Sequence, residues 1–361
     1  MARAPGPALG DYTGILATRY AGDHSFVHPD IGFLARILRG RSAFLARGQA
    51  KAFAARDGSG APTAFAVAFV DPGLQAKVAR PVASIGFFEA LDEHSACQVL
   101  DVACEWLAAR GATEVWAPFN GNPYNRMGVR EDRFEEPPFV GCAHDPPTTR
   151  SYLRAAGFSL LTRYLNFEID LASRPWRGAG PPSEGICMRP VSRLHFRNDV
   201  LSYVHLHNAA FRSVWGEVEI SDAEALQLLL RSRLALDPRL VQFAVADGRD
   251  VGFVLCMPDL GEALAPLHAP LTSPAGLAKL ARSRRHTTSV GLLSLGVDPD
   301  LQGRGVGRAL VSAACRGAAA LGYRRLEYAL VAESNEPSKA LAARFGGRQC
   351  RTFGIYARHL A

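Results

Sequence analysis

The same succession of patterned segments occurs twice in this chain, once on either side of Ala172–Gly185 (ASRPWRGAGPPSEG), and that duplication narrows the possible folds more than any single motif. The stretch between is rich in Pro, Gly and Ser and lacks apolar periodicity, so it reads as a linker. Before it, Phe53–Asp71 alternates around a Gly-rich turn; after it, Phe243–Asp259 does the same around Asp247-Gly248. Both are hairpin patterns. A short apolar strand follows in each half, Ser84–Phe88 (SIGFF) and Val290–Val297 (VGLLSLGV). Amphipathic helices come next. Ala96, Val99, Leu100, Ala103, Trp106 and Leu107 make one apolar face, and Val306, Leu310, Ala313, Ala314, Ala318 and Leu321 the other. Both have the three-and-four spacing of half-buried helices. Each helix stops at a glycine and runs into another strand, and Ala108–Val115 (AARGATEV) aligns with Ala319–Leu326 (AALGYRRL) without a gap. Last, Leu153–Phe158 (LRAAGF) matches Leu341–Gly347 (LAARFGG).

Hairpin, strand, helix, strand and helix in that order predict a mixed-sheet α/β fold whose middle strands run parallel. The expected organisation is two like domains in tandem, residues 1–171 and 186–361, joined by the linker 172–185. With 361 residues and 48% hydrophobic content, the chain can build cores of that size. No apolar run approaches the ~20 residues of a membrane helix, and Met1–Gly10 lacks the apolar segment of a secretory signal. Seven scattered cysteines, Cys97, Cys104, Cys142, Cys187, Cys256, Cys315 and Cys350, include no CxxC pair. They argue against a disulfide framework or a zinc site and for a reducing, cytoplasmic setting, so no metal is expected. The net charge of +7 suits anionic partners. Four of the 41 basic residues are Lys, an Arg bias that, with the high Ala and Gly, reads mainly as coding bias.

The second half also carries a recognisable ligand site. Val297–Arg308 (VDPDLQGRGVGR) lies between its central strand and its helix. Gly303, Gly305 and Gly307 let the backbone bend so that successive N–H groups point inward. The helix adds unpaired N–H groups and its positive dipole end. With Arg304 and Arg308 nearby, this is a cradle for a pyrophosphate. A dinucleotide fold would place its Gly loop in the first strand–helix unit, with an acidic residue closing the next strand. Arg308 is followed by Ala309, not Ser or Thr, so the loop is no Walker motif either. The corresponding place in the first half, Glu89–Ser95 (EALDEHS), has no glycine and three carboxylates, which would repel phosphate.

The loop resembles motif A of the GNAT acetyltransferase superfamily, (Q/R)-x-x-G-x-G/A, with Gln302, Gly305 and Gly307 in the fixed places. Asn335 stands where that family often has Asn before its last helix, and Leu341–Gly347 is similar to the helix that follows. The rest of the chain resembles tandem GNAT-like bacterial proteins of similar length. The segments carrying this are Gly86–Glu93 (GFFEALDE), Trp106–Asn120 (WLAARGATEVWAPFN), Phe134–Phe139 (FEEPPF), His207–Gly216 (HNAAFRSVWG) and Gly346–Leu360 (GGRQCRTFGIYARHL).

The resemblance implies transfer of an acetyl or longer acyl group from acyl-CoA to an amine, by direct attack in a ternary complex. Leu295, Gly296 and Val297 would pair with the pantetheine arm, and the Leu295 N–H would polarise the thioester carbonyl. Gln302, Gly303, Arg304, Gly305, Val306, Gly307, Arg308 and Asn335 complete the expected cofactor site. For the general base, Glu327 and Glu217 lead, ahead of Glu219, Glu333, His205 and His207. Many relatives protonate the departing thiolate with a Tyr in the last helix; here Ala342 takes that place, leaving Tyr356 or Tyr328 as substitutes. The first half is expected to bind no CoA and to shape the acceptor pocket, so a small-molecule amine is favoured over a protein tail. Asn120–Tyr124 and Pro137-Pro138 are candidate pocket walls, although ordinary loop chemistry also explains them. Arg282–His286 (RSRRH) could meet the adenosine 3′-phosphate or an acidic carrier protein, or be a solvated turn. A membrane partner is not expected. Two other readings remain open: a non-catalytic acyl-CoA-binding protein, and an aminoacyl-tRNA-dependent transferase, whose nucleic-acid partner would fit the charge but which does not need an intact CoA loop.

Overall fold

The computed structural model describes residues 8–29, 31–139, 141–173, 185–230, 233, 236–259, 261 and 287–360. Most of the expected linker and all of Arg282–His286 lie outside the described residues.

The first half opens with α1 (Leu9–Arg19) and α2 (Gly32–Leu38), then the hairpin β1 (Gln49–Arg56) and β2 (Pro62–Val70). Next come α3 (Pro72–Val78), β3 (Val82–Ala90), α4 (Glu93–Ala108), β4 (Glu114–Ala117), the short β5 (Val129–Arg130), α5 (Pro147–Ala155) and β6 (Ser159–Asp170). The second half begins with β7 (Ile186–Pro190), α6 (Phe196–Ala210) and α7 (Asp222–Leu229). It continues with the hairpin β8 (Val241–Ala246) and β9 (Arg249–Pro258), then β10 (Ser289–Val297), α8 (Val306–Ala320), β11 (Arg325–Ala332), α9 (Glu336–Arg344) and β12 (Arg348–His359). The mixed α/β fold expected from the repeated pattern is the one observed.

Local sequence sets the boundaries. Asp92 caps α4 by accepting the Ser95 N–H at 2.8 Å, and Asn335 caps α9 by accepting the Ser338 N–H at 3.1 Å. Gly305, at φ +82°, turns the chain into α8. All nine residues of β3 are buried, so the strand reads as an unbroken apolar run rather than an alternation.

The described strands form one twelve-stranded sheet in the order β1-β2-β3-β4-β12-β6-β11-β10-β9-β8-β7, with β5 beside β12. From the centre outward the two halves mirror each other: β4, β3, β2, β1 on one side and β11, β10, β9, β8 on the other, with β7 as an extra edge strand. The two central strands are exchanged. β12, from the second half, pairs with β4 of the first, while β6, from the first half, pairs with β11 of the second. β6 and β12 run antiparallel along nearly their whole lengths, from Ser159↔Ala357 to Glu168↔Arg348. The halves are therefore joined by a main-chain ladder as well as by side chains.

Separate apolar cores lie under α4 and under α8, the second including Val306, Leu310, Val311 and Ala314 against Leu292 and Leu326. Each large aliphatic side chain so buried contributes about 1.5–3 kcal/mol. A third core at the junction joins Trp116, Phe139, Tyr164 and Phe353 to Ala329 and Ala332. No described helix is long and apolar enough to cross a membrane.

Candidate active site

β10 and β11 pair in parallel from Ser289↔Arg325 to Leu292↔Tyr328 and then part. Two irregularities at the same level cause this. The ladder of β10 with β9 skips Leu293, and that of β11 with β6 skips Ala329 and Leu330. Such bulges bend a strand and end its regular pairing. Leu330, at φ +53°, gives its N–H to the Asn166 side-chain Oδ1 on β6 at 2.7 Å instead of to a main-chain carbonyl. Beyond the bulges, Asp298 donates its N–H to the Val251 carbonyl at 2.9 Å. Because an antiparallel ladder alternates, Ser294 and Gly296 also face β9, while Leu295 and Val297 turn their N–H and C=O groups to the open edge. That edge can pair with an extended, amide-bearing chain.

The glycine loop closes the end of this cleft. The Gln302 side chain donates from Nε2 to the Val297 carbonyl at 3.2 Å, tying the loop to the strand. Gly303 and Gly305 both adopt positive φ, +76° and +82°. Ala309 is the first residue of α8 to bond back, to Gly305 at 3.0 Å. The N–H groups of Val306, Gly307 and Arg308 therefore form the unbonded first turn. These residues fit a pyrophosphate: converging N–H groups, a helix N-terminus of full length, and guanidinium side chains at 304 and 308. The Asn335 carbonyl oxygen is occupied as the α9 cap.

On the other face of the sheet, α6 rides over β9 and β10, close enough that a Cβ on Gly296 would lie 3.1 Å from Ala210. The segment after α6 is clamped back by Asn208, which accepts the Ile220 N–H at 3.0 Å and donates to its carbonyl at 2.9 Å. This clamp places Glu217 at a cavity of about 520 Å³. Arg47, Gly73, Lys77 and Tyr124 of the first half and His207, Phe211 and Glu217 of the second share its wall. Tyr124 donates its O–H to Glu217 at 2.8 Å and lies 3.3 Å from His207 Nδ1. Burial pushes the Glu217 carboxyl up to about 7, against the pull of the Tyr124 hydrogen bond and of Lys77. Burial also pushes His207 down to about 3, so its ring is neutral, stacked on Phe211 at 4.3 Å. A carboxylate poised near neutrality in a pocket is suited to taking a proton from an ammonium ion.

Glu327 lies one residue before the strands part. Its Oε1 accepts from Asn166 Nδ2 at 2.6 Å, and its Oε2 from Arg351 at 3.1 Å. Burial lifts it to about 7 as well, but Arg351 and Asn166 already occupy it. Tyr356 is carried to the first half by the strand exchange. It pairs with Ala117 and Leu160, and its hydroxyl donates to Glu131 at 3.1 Å. The Tyr328 hydroxyl is 2.6 Å from Ser338 Oγ. His205 is exposed beside Asp222, and Glu333 directly follows β11, its N–H bonded to the Arg163 carbonyl. The structure thus gathers Leu295–Val297 and Gln302–Arg308 along one cleft and sets Glu217 in the cavity between the halves. Tyr124 was not singled out from the sequence as a site residue, although the segment that contains it was read as a candidate pocket wall.

The first half has the same parting of strands, filled by its own chain. β3 and β4 pair over Val82–Ser84, and the β3 ladder with β2 breaks near Phe87, at φ +48°. Past that point Phe119 donates its N–H to the Ile85 carbonyl at 2.8 Å, and Asn120 Oδ1 accepts the Phe87 N–H at 2.7 Å. These are the groups a bound pantetheine would need. A Cβ on Gly86 would lie 2.6 Å from the Asn120 Cα, so the plug sits directly on the strand. At the start of α4, Asp92 and Glu93 meet any incoming anion with like charge. Titration calorimetry is expected to find one CoA per chain, and two equivalent sites would show that the plug opens.

Comparison with known proteins agrees with this geometry. Residues 201–347 match the acetyltransferase (GNAT) family. A bacterial ceramide synthase from Caulobacter vibrioides is 29% identical over 289 residues, 76% of this chain and 74% of that protein. Protein YghO of Escherichia coli is 22% identical over 218 residues, 58% of this chain and 55% of its own. Two solved structures share the fold along nearly the whole chain. A GCN5-related N-acetyltransferase from Sphaerobacter thermophilus has TM-score 0.54 and 16% identity, covering 98% of this chain and 94% of that one. A tandem GNAT protein from the clavulanic acid biosynthesis pathway has TM-score 0.56 and 14% identity, covering 97% and 94%. The second half of the chain thus belongs to the GNAT acetyltransferase family, and the two halves together have the fold of its tandem members.

Proposed function

We propose that the protein transfers an acyl group from acyl-CoA to the amine of a long-chain amino alcohol, with both halves forming the acceptor site. The observation that carries the amine chemistry is the buried Glu217 carboxyl, held at about 7 in a cavity walled by both halves. The pantetheine pairs with Leu295 and Val297, its pyrophosphate on the loop Gln302–Arg308. The Leu295 N–H takes the developing oxyanion. Glu217, with Tyr124 on its carboxylate, removes a proton from the incoming ammonium; the nitrogen then attacks the carbonyl carbon and the C–S bond breaks. Because the enclosing wall is donated by α3 and Tyr124 of the first half, an acceptor the size of a small molecule fits better than a protein tail. The amino-alcohol acceptor and a long acyl chain rest on the likeness to the Caulobacter ceramide synthase, whose product class is an amide of that kind.

The test is a matrix of acyl-CoA chain lengths against amines (sphinganine, polyamines, amino sugars, lysine peptides), read by thiol release and by the mass of the amide. Turnover is expected to be greatest for a long-chain acyl-CoA with sphinganine. Greatest turnover with a lysine peptide would overturn the acceptor. Tight acyl-CoA binding with no thiol release from any pair would make the protein a binder instead of a catalyst.

A further inference from the structure

The internal repeat supplies a comparison within one molecule. Glu114 of β4 aligns with Arg325 of β11, and from there each strand runs alongside an exchanged partner. β4 pairs with β12 as far as Ala117↔Tyr356, and β11 with β6 as far as Tyr328↔Phe167. The next position on the partner strand is Ile355 in one half and Asn166 in the other, and both are fully buried. Two residues beyond the last pair, the N–H groups of Phe119 and Leu330 take different partners. Phe119 donates to the Ile85 carbonyl of β3 at 2.8 Å, so the chain after β4 closes onto β3. Leu330 donates to Asn166 Oδ1 at 2.7 Å, and β11 stays apart from β10. The residue of β10 that corresponds to Ile85 is Leu292, whose carbonyl is the one Leu330 would otherwise seek.

The Asn166 amide can be oriented in one way only. Its Nδ2 donates to Glu327 Oε1 at 2.6 Å, and Arg351 holds the other oxygen of Glu327 at 3.1 Å. A carboxylate accepts and does not donate, so the carbonyl end of the amide turns to Leu330. Leu330 itself sits at φ +53°, a conformation that leucine keeps only where its surroundings impose it. An isoleucine at 166, like Ile355, would offer that N–H nothing.

Resting on the reading of the β10 edge as the pantetheine site, we propose that Asn166 is the positioning residue that holds the acyl-CoA cleft open. Its side chain stands in for the β10 carbonyl, and the main-chain groups of Leu295 and Val297 are left for the ligand. The strand exchange thus makes the second half's cofactor cleft depend on a residue of the first half.

The test sets two variants against two ligands by calorimetry. CoA reaches both the glycine loop and the β10 edge, whereas its nucleotide half, 3′-phospho-ADP, reaches the loop alone. Asn166→Leu removes the acceptor. Its CoA affinity is expected to fall by about 10- to 100-fold, as for two lost main-chain hydrogen bonds, with 3′-phospho-ADP affinity within about twofold of the parent. Asn166→Asp keeps an oxygen for Leu330 but sets a carboxylate against Glu327. It should melt at a lower temperature than the parent and still keep the parent's preference for CoA over 3′-phospho-ADP. A residue that served stability alone would weaken both ligands together, in step with the melting temperature. Full CoA preference in Asn166→Leu, equal loss of both ligands there, or loss of the preference in folded Asn166→Asp overturns the proposal. If Asn166→Leu does not fold, Asn166→Asp decides. A parent that binds no CoA would instead remove the acyltransferase reading itself.

Discussion

Gly307→Asp is expected to abolish acyl-CoA binding in a protein that remains folded. Gly307 lies in the unbonded first turn of α8, where a phosphate would accept backbone N–H groups. A Cβ at this position would be 3.7 Å from Leu341 and 3.8 Å from Val297, ordinary contact distances, so the substitution fits. An acidic residue in the first turn is also mildly favourable to a helix, by about 0.3–1 kcal/mol. The cost falls on the ligand. A carboxylate about 4 Å from a phosphate charge, at an effective dielectric constant near 20, is repelled by about 4 kcal/mol. That corresponds to about a thousandfold in affinity before any lost hydrogen bonds are counted. Gly305→Asp would be a poorer probe, because at φ +82° any side chain also strains the backbone. Calorimetry showing unchanged CoA affinity in folded Gly307→Asp protein would sink the assignment of the loop.

Glu217→Gln is expected to lower kcat/KM by about 10²–10⁴ near neutral pH, the usual contribution of a general base. In the parent, kcat/KM should rise with pH through about 7, since the base works only once it has lost its proton. In the variant that inflection disappears and the deficit shrinks at alkaline pH, where the acceptor amine deprotonates unaided. The rescue distinguishes a base from a packing residue. Glu327→Gln provides the contrast. Glu327 is held by Asn166 and Arg351, so the amide substitution should weaken that cluster and lower thermal stability, with a smaller loss of activity that does not recover at high pH. If the two variants exchanged these behaviours, Glu327 would be the base.

The glycine loop was legible because backbone geometry is written directly in residue identity. Three alternate glycines before an apolar helix have few uses, and Gly303 and Gly305 take the left-handed conformations that only glycine adopts freely. The hairpins and α4 and α8 were equally plain from their two- and three-to-four-residue spacings. The acidic segment of the first half was read as hostile to phosphate; it also supplies Asp92 as the cap of α4. The partners of β6 and β12 were not legible. Both follow a helix that ends near a glycine, both are twelve residues long, and either could lie against its own half or the other. Strand exchange is decided by edges hundreds of residues apart, which no local pattern encodes. Tyr356 was weighed as if it stayed beside its own half's cleft, and the exchange sets it against Ala117. Tyr124 was overlooked as chemistry for a related reason: a single aromatic in a loop looks like core until its neighbours are known.

The exchange has a consequence for how the chain reaches its native state. The central edge of β4 is completed by residues Tyr356–His359, some 240 positions later. A nascent first half leaving the ribosome therefore carries an unsatisfied strand edge, with β6 awaiting β11 and β4 awaiting β12. Such edges invite pairing with other chains. Two completed chains that meet before β12 has docked can donate it to each other as well as to themselves, so a swapped dimer is the natural misassembly product of this topology. High expression rates would favour that product, and slow synthesis at low chain concentration would favour the monomeric closure.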